Sequence, residues 1–451
     1  MPSPFRRRGL LRLTYAAPSA VRLVTGLLVV IALGTLALLL PGMATSGRLR
    51  FDQALFMATS AASVTGLSVI TPARDLTVLG QVVLMVLMEI GGVGFMVLAV
   101  FVLLILGRKI MLADRLALQD SLGLSAVRTV VQIALRTLVV VLIMQGLGAL
   151  ALAWRWTPLL GAPRALWFGL FHAVSAFCNV GLDLFAGMPG YSGIPTDPVT
   201  LAVLAALIVA GGLGIPVWSD LLFHRGRWSL HTRVTLAITA ALIVGGAAAI
   251  LASEHLGHGV LTTTQGYDQF DKALFISISA RTGGFSSIVD LGKLSEASTW
   301  VITVLMFVGT APASMGGGIT TGTLAVLLLA TWSYLRGLSD VRVGMRSISR
   351  ETMRRALAVL VMALTLVISA TWLLLISQPI AESDALFTVV SAFATAGFNT
   401  VPLENFSLFG QFVVIVVMFW GRLGALTIVL AVARQSPPQP VSYPEETLLL
   451  G

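Results

Sequence analysis

The sequence predicts an all-α polytopic membrane protein in which four helix, pore loop, helix repeats supply eight transmembrane helices and four re-entrant pore helices around one pseudo-fourfold pore. Three observations predict it. Hydrophobic residues make up 57% of the chain, mean hydropathy is +0.93, and only 11% of residues are charged, against about 25% in soluble domains. One stretch recurs four times. The basic residues cluster between apolar runs and mostly on one side of them, as membrane topology requires.

The fourth copy is the clearest: Asp384-Ala385-Leu386-Phe387, then Ser391-Ala392, then Thr395-Ala396-Gly397. The first runs Asp52-Gln53-Ala54-Leu55-Phe56, Ser60-Ala61, Val64-Thr65-Gly66, and the third Asp271-Lys272-Ala273-Leu274-Phe275, Ser279-Ala280, Thr282-Gly283-Gly284. A looser second copy aligns Ala165-Leu166-Trp167 with these, followed by Ser175-Ala176 and Asn179-Val180-Gly181. Each reads as a helix of about 12 residues followed by a bend. Such a helix is roughly 18 Å long and cannot cross a hydrocarbon core of about 30 Å, so it must re-enter. Asp52, Asp271, the Glu382/Asp384 pair and Pro163 lie near the predicted helix starts, where acids and proline are favoured. The partly negative C-terminal ends then point inward.

Glycine at each bend allows backbone dihedrals closed to residues with a Cβ. Successive carbonyls can then turn toward a common axis and replace the hydration shell of a cation, as in potassium filters. The predicted filter comprises Val64, Thr65 and Gly66; Asn179, Val180 and Gly181; Thr282, Gly283 and Gly284; and Thr395, Ala396 and Gly397. Potassium at these backbone carbonyls is the expected substrate. No transition-metal site and no covalently bound cofactor are expected.

Residues 1–20, with Arg6, Arg7, Arg8 and Arg12, form the predicted cytoplasmic N-terminus. The apolar run from Leu23 to Leu40 is too long for the core of a signal peptide, about 7–15 residues, and reads as an uncleaved span. Outer helices are expected at 21–40, 130–153, 232–252 and 355–376, and inner helices at 77–106, 199–222, 298–335 and 408–434. The repeats therefore cover 21–106, 107–222, 223–335 and 336–434, with a cytoplasmic tail at 435–451. Nineteen bases fall on the side of the termini and seven on the pore-loop side. The richer side, with both termini, is assigned to the cytoplasm and the pore loops face outward. Twelve carboxylates on that outer side predict a vestibule that concentrates cations. The net charge of +9 is explained by topology, and no nucleic-acid partner is expected.

Two departures inside the inner helices carry mechanism. The run 309–322, with Pro312 and the triplet Gly316-Gly317-Gly318, cannot remain regular helix and reads as an intramembrane gating loop. Arg422, near the middle of the last helix, is costly there unless functional. It is expected to act as a positive barrier or as a ligand for the loop's carbonyls. Glu89 is also intramembrane, either paired with a base or protonated. The single Cys178 can form no intrachain disulfide and reads as a small apolar filler. No nucleotide-binding loop, nucleophile elbow or zinc signature appears, so catalysis is not expected.

The combination Val64-Thr65-Gly66-Leu67, Asn179-Val180-Gly181, Arg281-Thr282-Gly283-Gly284-Phe285 and Thr395-Ala396-Gly397-Phe398, together with Gly91-Gly92-Val93-Gly94, Gly211-Gly212-Leu213-Gly214, Ser229-Leu230-His231-Thr232 and Gly421-Arg422, resembles the Trk/Ktr/HKT superfamily of potassium transporters. The resemblance covers nearly the whole chain and is strongest to its shorter, Ktr-type membrane subunits (KtrB). It implies a homodimer in the bacterial cell membrane with one pore per subunit. It also implies potassium uptake stimulated by sodium as an activator, and a cytosolic KtrA-like nucleotide-binding regulatory ring on the inner face. Relatives with serine at the first filter glycine favour sodium, so Gly66 implies potassium. Thr320 stands where relatives often carry lysine, and Glu89 where glutamine is frequent. The rival expectation is a secondary symporter with inverted repeats and a midplane site at broken helices. The shared orientation of all four copies opposes it. A membrane protein that conducts nothing would leave the four glycines and Arg422 unexplained.

Overall fold

A computed structural model describes residues 19–94, 130–223, 226, 228–263, 267–288, 290–338, 340–343 and 346–424. It is almost entirely helical. The first sequence copy is carried by α1 (Ser19–Leu38), α2 (Phe51–Ala62) and α3 (Val78–Val93), and the second by α4 (Val130–Leu160), α5 (Ala162–Phe177), α6 (Pro198–Gly212) and α7 (Ile215–Phe223). The third contains α8 (Leu230–Leu256), α9 (Tyr267–Ala280), α10 (Glu296–Phe307) and α11 (Thr321–Leu335). The fourth contains α12 (Arg350–Ser377), α13 (Glu382–Ala394) and α14 (Leu408–Leu423). A two-residue ribbon, β1 (Arg342–Val343) against β2 (Arg346–Ser347), joins α11 to α12.

Among the described residues three helices, Arg136–Leu160, Leu230–Leu256 and Arg350–Ser377, are long and apolar enough to cross a bilayer. The pair α6 and α7 makes a fourth if its 100° bend is counted within one span. The other apolar helices are shorter, and the 16 residues of α3 or α14 extend only about 24 Å. The inner helices expected at 77–106 and 408–434 are described only as far as Gly94 and Gly424. The inner helix expected at 199–222 is corrected: it is bent between α6 and α7. There Gly214, at φ +83°, turns the chain sharply, and a methyl on it would lie 2.6 Å from the Pro312 carbonyl oxygen.

The helix starts follow from local chemistry. Thr77, Asp197, Ser295 and Ser407 each accept a hydrogen bond from the backbone N–H three residues on, opening α3, α6, α10 and α14 in the same way. The four pore helices α2, α5, α9 and α13 contain 12, 16, 14 and 13 residues. None reaches across about 30 Å. Because α9 begins a turn earlier than expected, its first-turn acid is Asp268 rather than Asp271.

One register expectation is corrected. Phe56, Phe171 and Phe387 each stand ten residues before a filter glycine, and all are fully buried. Phe171, and not Trp167, is therefore the counterpart of Phe56, a shift of about one helical turn. Trp167 instead points along the seam between copies, its indole N–H donating to Gln81 Oε1 at 2.8 Å.

Candidate functional site

The four pore helices end in nearly the same turn. Val64, Asn179, Thr282 and Thr395 all take positive φ, at 62°, 58°, 75° and 52°, and two residues later Gly66, Gly181, Gly284 and Gly397 do so at 84°, 83°, 72° and 81°. Outside glycine a positive φ is uncommon, and for β-branched valine or threonine it is an outlier held by its surroundings. In three copies the turn is a Schellman closure. Thr65, Val180 and Ala396 donate their N–H to the carbonyls of Ser60, Ser175 and Ser391, each at 2.8 Å. The third copy is one residue shorter between serine and glycine, and Gly283 closes on Ser279 at 2.6 Å instead.

These turns meet. A methyl on Gly66 would lie 1.7 Å from the Val180 carbonyl oxygen. One on Gly181 would lie 2.3 Å from Gly284 Cα, and one on Gly397 would lie 2.5 Å from the Thr65 and 3.0 Å from the Val180 carbonyl oxygens. No side chain fits at any of the four. Val64, Thr65, Asn179, Val180, Thr282, Thr395 and Ala396 are buried. The turns are also tied side chain to side chain: Ser63 meets Thr65 at 2.7 Å, and Asn179 meets Thr282 at 2.9 Å. The structure thus gathers the backbone of all twelve predicted filter residues into one cluster at the converging C-terminal ends of the pore helices, where partial negative charge collects.

Beneath the cluster, glycines let the inner helices touch the pore-helix ends. A methyl on Gly91, Gly211 or Gly421 would lie 2.3, 1.9 or 2.0 Å from the carbonyl oxygens of Ala62, Phe177 or Phe393. The fourth position is taken by the predicted gating loop. It leaves α10 at Val308, bridges back through Ile319, and starts α11 at Thr321. Its peptide groups are spent on neighbours: Ala311 N–H donates to Gly212 O at 3.1 Å, Met315 N–H to Gly211 O at 3.2 Å, and Ala313 O accepts from Ile215 N–H at 3.0 Å. Gly316 lies against the Thr282 hydroxyl, Gly317 N–H donates to Thr395 Oγ1 at 2.9 Å, and Gly318, at φ +77°, lies on Ala394. The triplet therefore sits directly under two of the filter turns.

Arg422 closes the far side. Its guanidinium donates to the carbonyls of Met315 and Gly91, and to Gly92 O at 3.2 Å. These bonds clasp the loop to the end of α3. A second arginine went unassigned from sequence. Arg281, only 4% exposed, donates to Gly309 O at 3.1 Å and fixes the loop's near end. Its signal was available, since it is an intramembrane charge beside a filter turn.

Several of the carboxylates expected on the outer side are engaged by neighbours. Asp52 pairs with Arg50 at 3.0 Å and Asp75 with Arg74 at 2.8 Å. The hydrogen bond from Arg74 holds the Asp75 carboxyl below the usual carboxylate range. Glu254, fully buried, accepts from Ser298 Oγ at 2.6 Å and from the N–H groups of Ser295 at 2.9 Å and Leu261 at 3.2 Å. It serves as an internal tie.

A helical membrane protein whose short helices converge on a cluster of backbone carbonyls, with a buried loop and an arginine beneath, belongs to the class that moves ions. Residues 15–442 match the family model TrkH, cation transport protein, and the chain belongs to that family. It is a transporter and not an enzyme. The Ktr system potassium uptake protein B of Vibrio alginolyticus is 33% identical, over 92% of this chain and 91% of that one. The potassium/sodium uptake protein NtpJ of Enterococcus hirae is 34% identical, over 96% and 97% of the two chains. The fold is similar to the crystal structure of the potassium transporter TrkH from Vibrio parahaemolyticus, with a TM-score of 0.71 and 18% identity, covering 91% of this chain and 83% of that one.

Proposed function

We propose that this chain takes up potassium ions across the cell membrane through a filter built from the carbonyls of its four pore-helix turns, gated below by the 309–322 loop and Arg422. The observation that carries this reading is the convergence of Gly66, Gly181, Gly284 and Gly397, all at positive φ and each too crowded for a Cβ. Eight spans and four re-entrant helices, with both termini cytoplasmic, complete the proposed topology. The relatives, a Ktr system potassium uptake protein and a potassium/sodium uptake protein, support potassium as the substrate and a place within a multi-component system, and sodium is taken to act as an activator. On this reading the protein is a homodimer whose cytosolic face carries a KtrA-like nucleotide-binding ring. The exposed arginines Arg336, Arg342, Arg350, Arg354 and Arg355 supply a basic surface for it. The symporter alternative needs broken helices with free backbone groups to bind a substrate. The breaks here satisfy one another, as the Gly211, Gly212 and Ile215 bonds to the loop illustrate.

Gly66→Ser tests the filter. Its Cβ cannot be placed without moving the Val180 carbonyl, so preference for potassium over sodium is expected to fall by about tenfold or more, a loss of about 1.4 kcal/mol. Competition between the two ions in proteoliposomes measures it. Unchanged selectivity in folded protein overturns the filter assignment.

A further inference from the structure

Glu89, half-buried, is an acidic group that the filter and gate leave unused. It lies on the last full turn of α3, at membrane depth, where a carboxyl is expensive unless it has work and partners. Among the described residues no base pairs with it. Its Oε2 accepts from Gln145 Nε2, on α4, at 2.8 Å and from the Cys178 thiol, at the end of α5, at 3.4 Å. Gln145 Nε2 also lies 3.6 Å from Cys178 Sγ, which closes a triangle. Gln145 and Cys178 are 3% and 0% exposed. Three residues along the same face of α3, Gly92 completes the clamp, because a methyl there would lie 2.6 Å from Cys178 Sγ.

The position of Cys178 in the chain gives this contact its meaning. It is the C-cap of α5, the last residue before Asn179 turns to positive φ and opens the second filter turn. Whatever fixes Cys178 fixes where that turn begins. Val180, two residues on, offers the carbonyl oxygen closest to both Gly66 and Gly284, so a displacement of this turn is felt by its neighbours on either side.

We propose that Glu89 is a positioning residue for selectivity: acting through the Cys178 thiol, and braced by Gln145, it sets the second filter turn against α3. The proposal rests on reading the turns as the filter. A thiol is a weak donor, and an acceptor held rigidly by a second donor is what makes such a bond specific in direction. The carboxyl's shape as an acceptor matters here, and its charge does not.

The experiment compares Glu89→Leu, Glu89→Gln, Cys178→Ala and the double Glu89→Leu/Cys178→Ala in proteoliposomes, with Gly66→Ser as the control for the filter itself. Potassium and sodium influx are measured in competition, and thermal unfolding of each purified variant is followed alongside. Glu89→Leu is expected to reduce potassium preference about fivefold, the scale of one lost hydrogen bond. Cys178→Ala, which removes only the donor from a fully buried site, is expected to fall the same way. The double change should fall no further than the worse single change, since both break one contact. Glu89→Gln keeps an oxygen for both donors and is expected to restore preference close to that of the native chain, a rescue that loss of general packing does not predict. If Glu89→Gln is as damaging as Glu89→Leu, charge carries the effect and the proposal falls. Native selectivity in Glu89→Leu or, should that variant not fold, in Cys178→Ala, beside a shifted Gly66→Ser control, also overturns it. An unshifted control overturns the filter reading instead.

Discussion

The turns that end the four pore helices are built alike, whereas the inner helices directly beneath them are not. Above, the same pair of positive-φ residues recurs four times, and the same Schellman bond at 2.8 Å recurs three times. Below, α3 and α14 reach glycines at Gly94 and Gly424, the second inner helix bends by 100°, and the third opens into a loop clasped by Arg281 and Arg422. The difference separates two demands. On the proposed reading, selection by a ring of carbonyls needs equivalent ligands at fixed spacing, which the repeated turns would supply. A gate needs an element with an alternative position, which the irregular loop would supply without disturbing the ring.

The largest expected effect that sharpens this contrast comes from shortening the loop. Deleting Met315, Gly316 and Gly317 removes the Arg422 acceptor on Met315, the Met315 bond to Gly211 and the Gly317 bond to the Thr395 side chain, and removes no predicted filter residue itself. Potassium flux in liposomes without any partner subunit is expected to rise about tenfold or more with selectivity kept, the equivalent of lowering a barrier by about 1.4 kcal/mol. Flux below that of the native chain, with the protein intact, would mean that the loop supports conduction.

Much of the upper region was legible because its determinants are local. A glycine after a short apolar helix, repeated in context, marks both the helix length and the bend, and Gly66, Gly181, Gly284 and Gly397 are where the turns close. The positive φ of Val64, Thr282 and Thr395 was not legible, since nothing intrinsic to a β-branched residue favours it and only the packed surroundings impose it. Asn179 alone carried a hint. Trp167 was misplaced because an apolar helix offers several registers one turn apart, and only burial of Phe171 chooses among them. Below the filter, the glycine triplet announced an irregular segment, but the bend at Gly214 hid within Gly211-Gly212-Leu213-Gly214, which also reads as a flexible helix. The partners of Arg281, Glu89 and Arg422 are 28 to 331 residues away in sequence or on another helix, and no local pattern encodes them.

Arg422→Ala is expected to act in the same direction as the loop deletion but less strongly. On the proposed reading a fixed positive charge beside the ion path opposes a cation by a few kcal/mol at an effective dielectric of about 20. Removing the guanidinium also leaves the Met315, Gly91 and Gly92 carbonyls without a donor. Flux should rise severalfold while the unfolding temperature falls. The double variant with the loop deletion should gain less than the sum, because both changes release one clasp. Full additivity of the two effects on flux would separate arginine and loop into independent barriers.

The smallest expected effect belongs to the outer frame, and it probes whether that frame is redundant. Asp197 caps α6 through Thr200 and pairs with Arg155 at 2.8 Å, tying α6 to α4 on the outer side. Burial opposes its ionisation, but the hydrogen bonds from Thr200 and the Arg155 pair outweigh that and hold the carboxyl below its ordinary range. A carboxyl with a depressed folded-state pKa contributes stability that is fully present above its unfolded value, about 3.9, and is lost as pH falls through the lower folded value. The contribution is therefore constant between pH 5 and 8, to within about 0.1 kcal/mol. Because the pair is partly solvent-exposed, screening keeps its worth to about 1 kcal/mol. Asp197→Asn keeps an oxygen for the cap and loses the pair, so unfolding in detergent at pH 7 should shift by only a few degrees at most. As pH falls below the depressed folded-state pKa, native and variant protein should converge. Potassium preference and flux should be unchanged at neutral pH. If this variant altered selectivity as much as Gly66→Ser, the outer helices would be setting the turns directly, and the turns would not be the self-contained units their repeated bonds suggest.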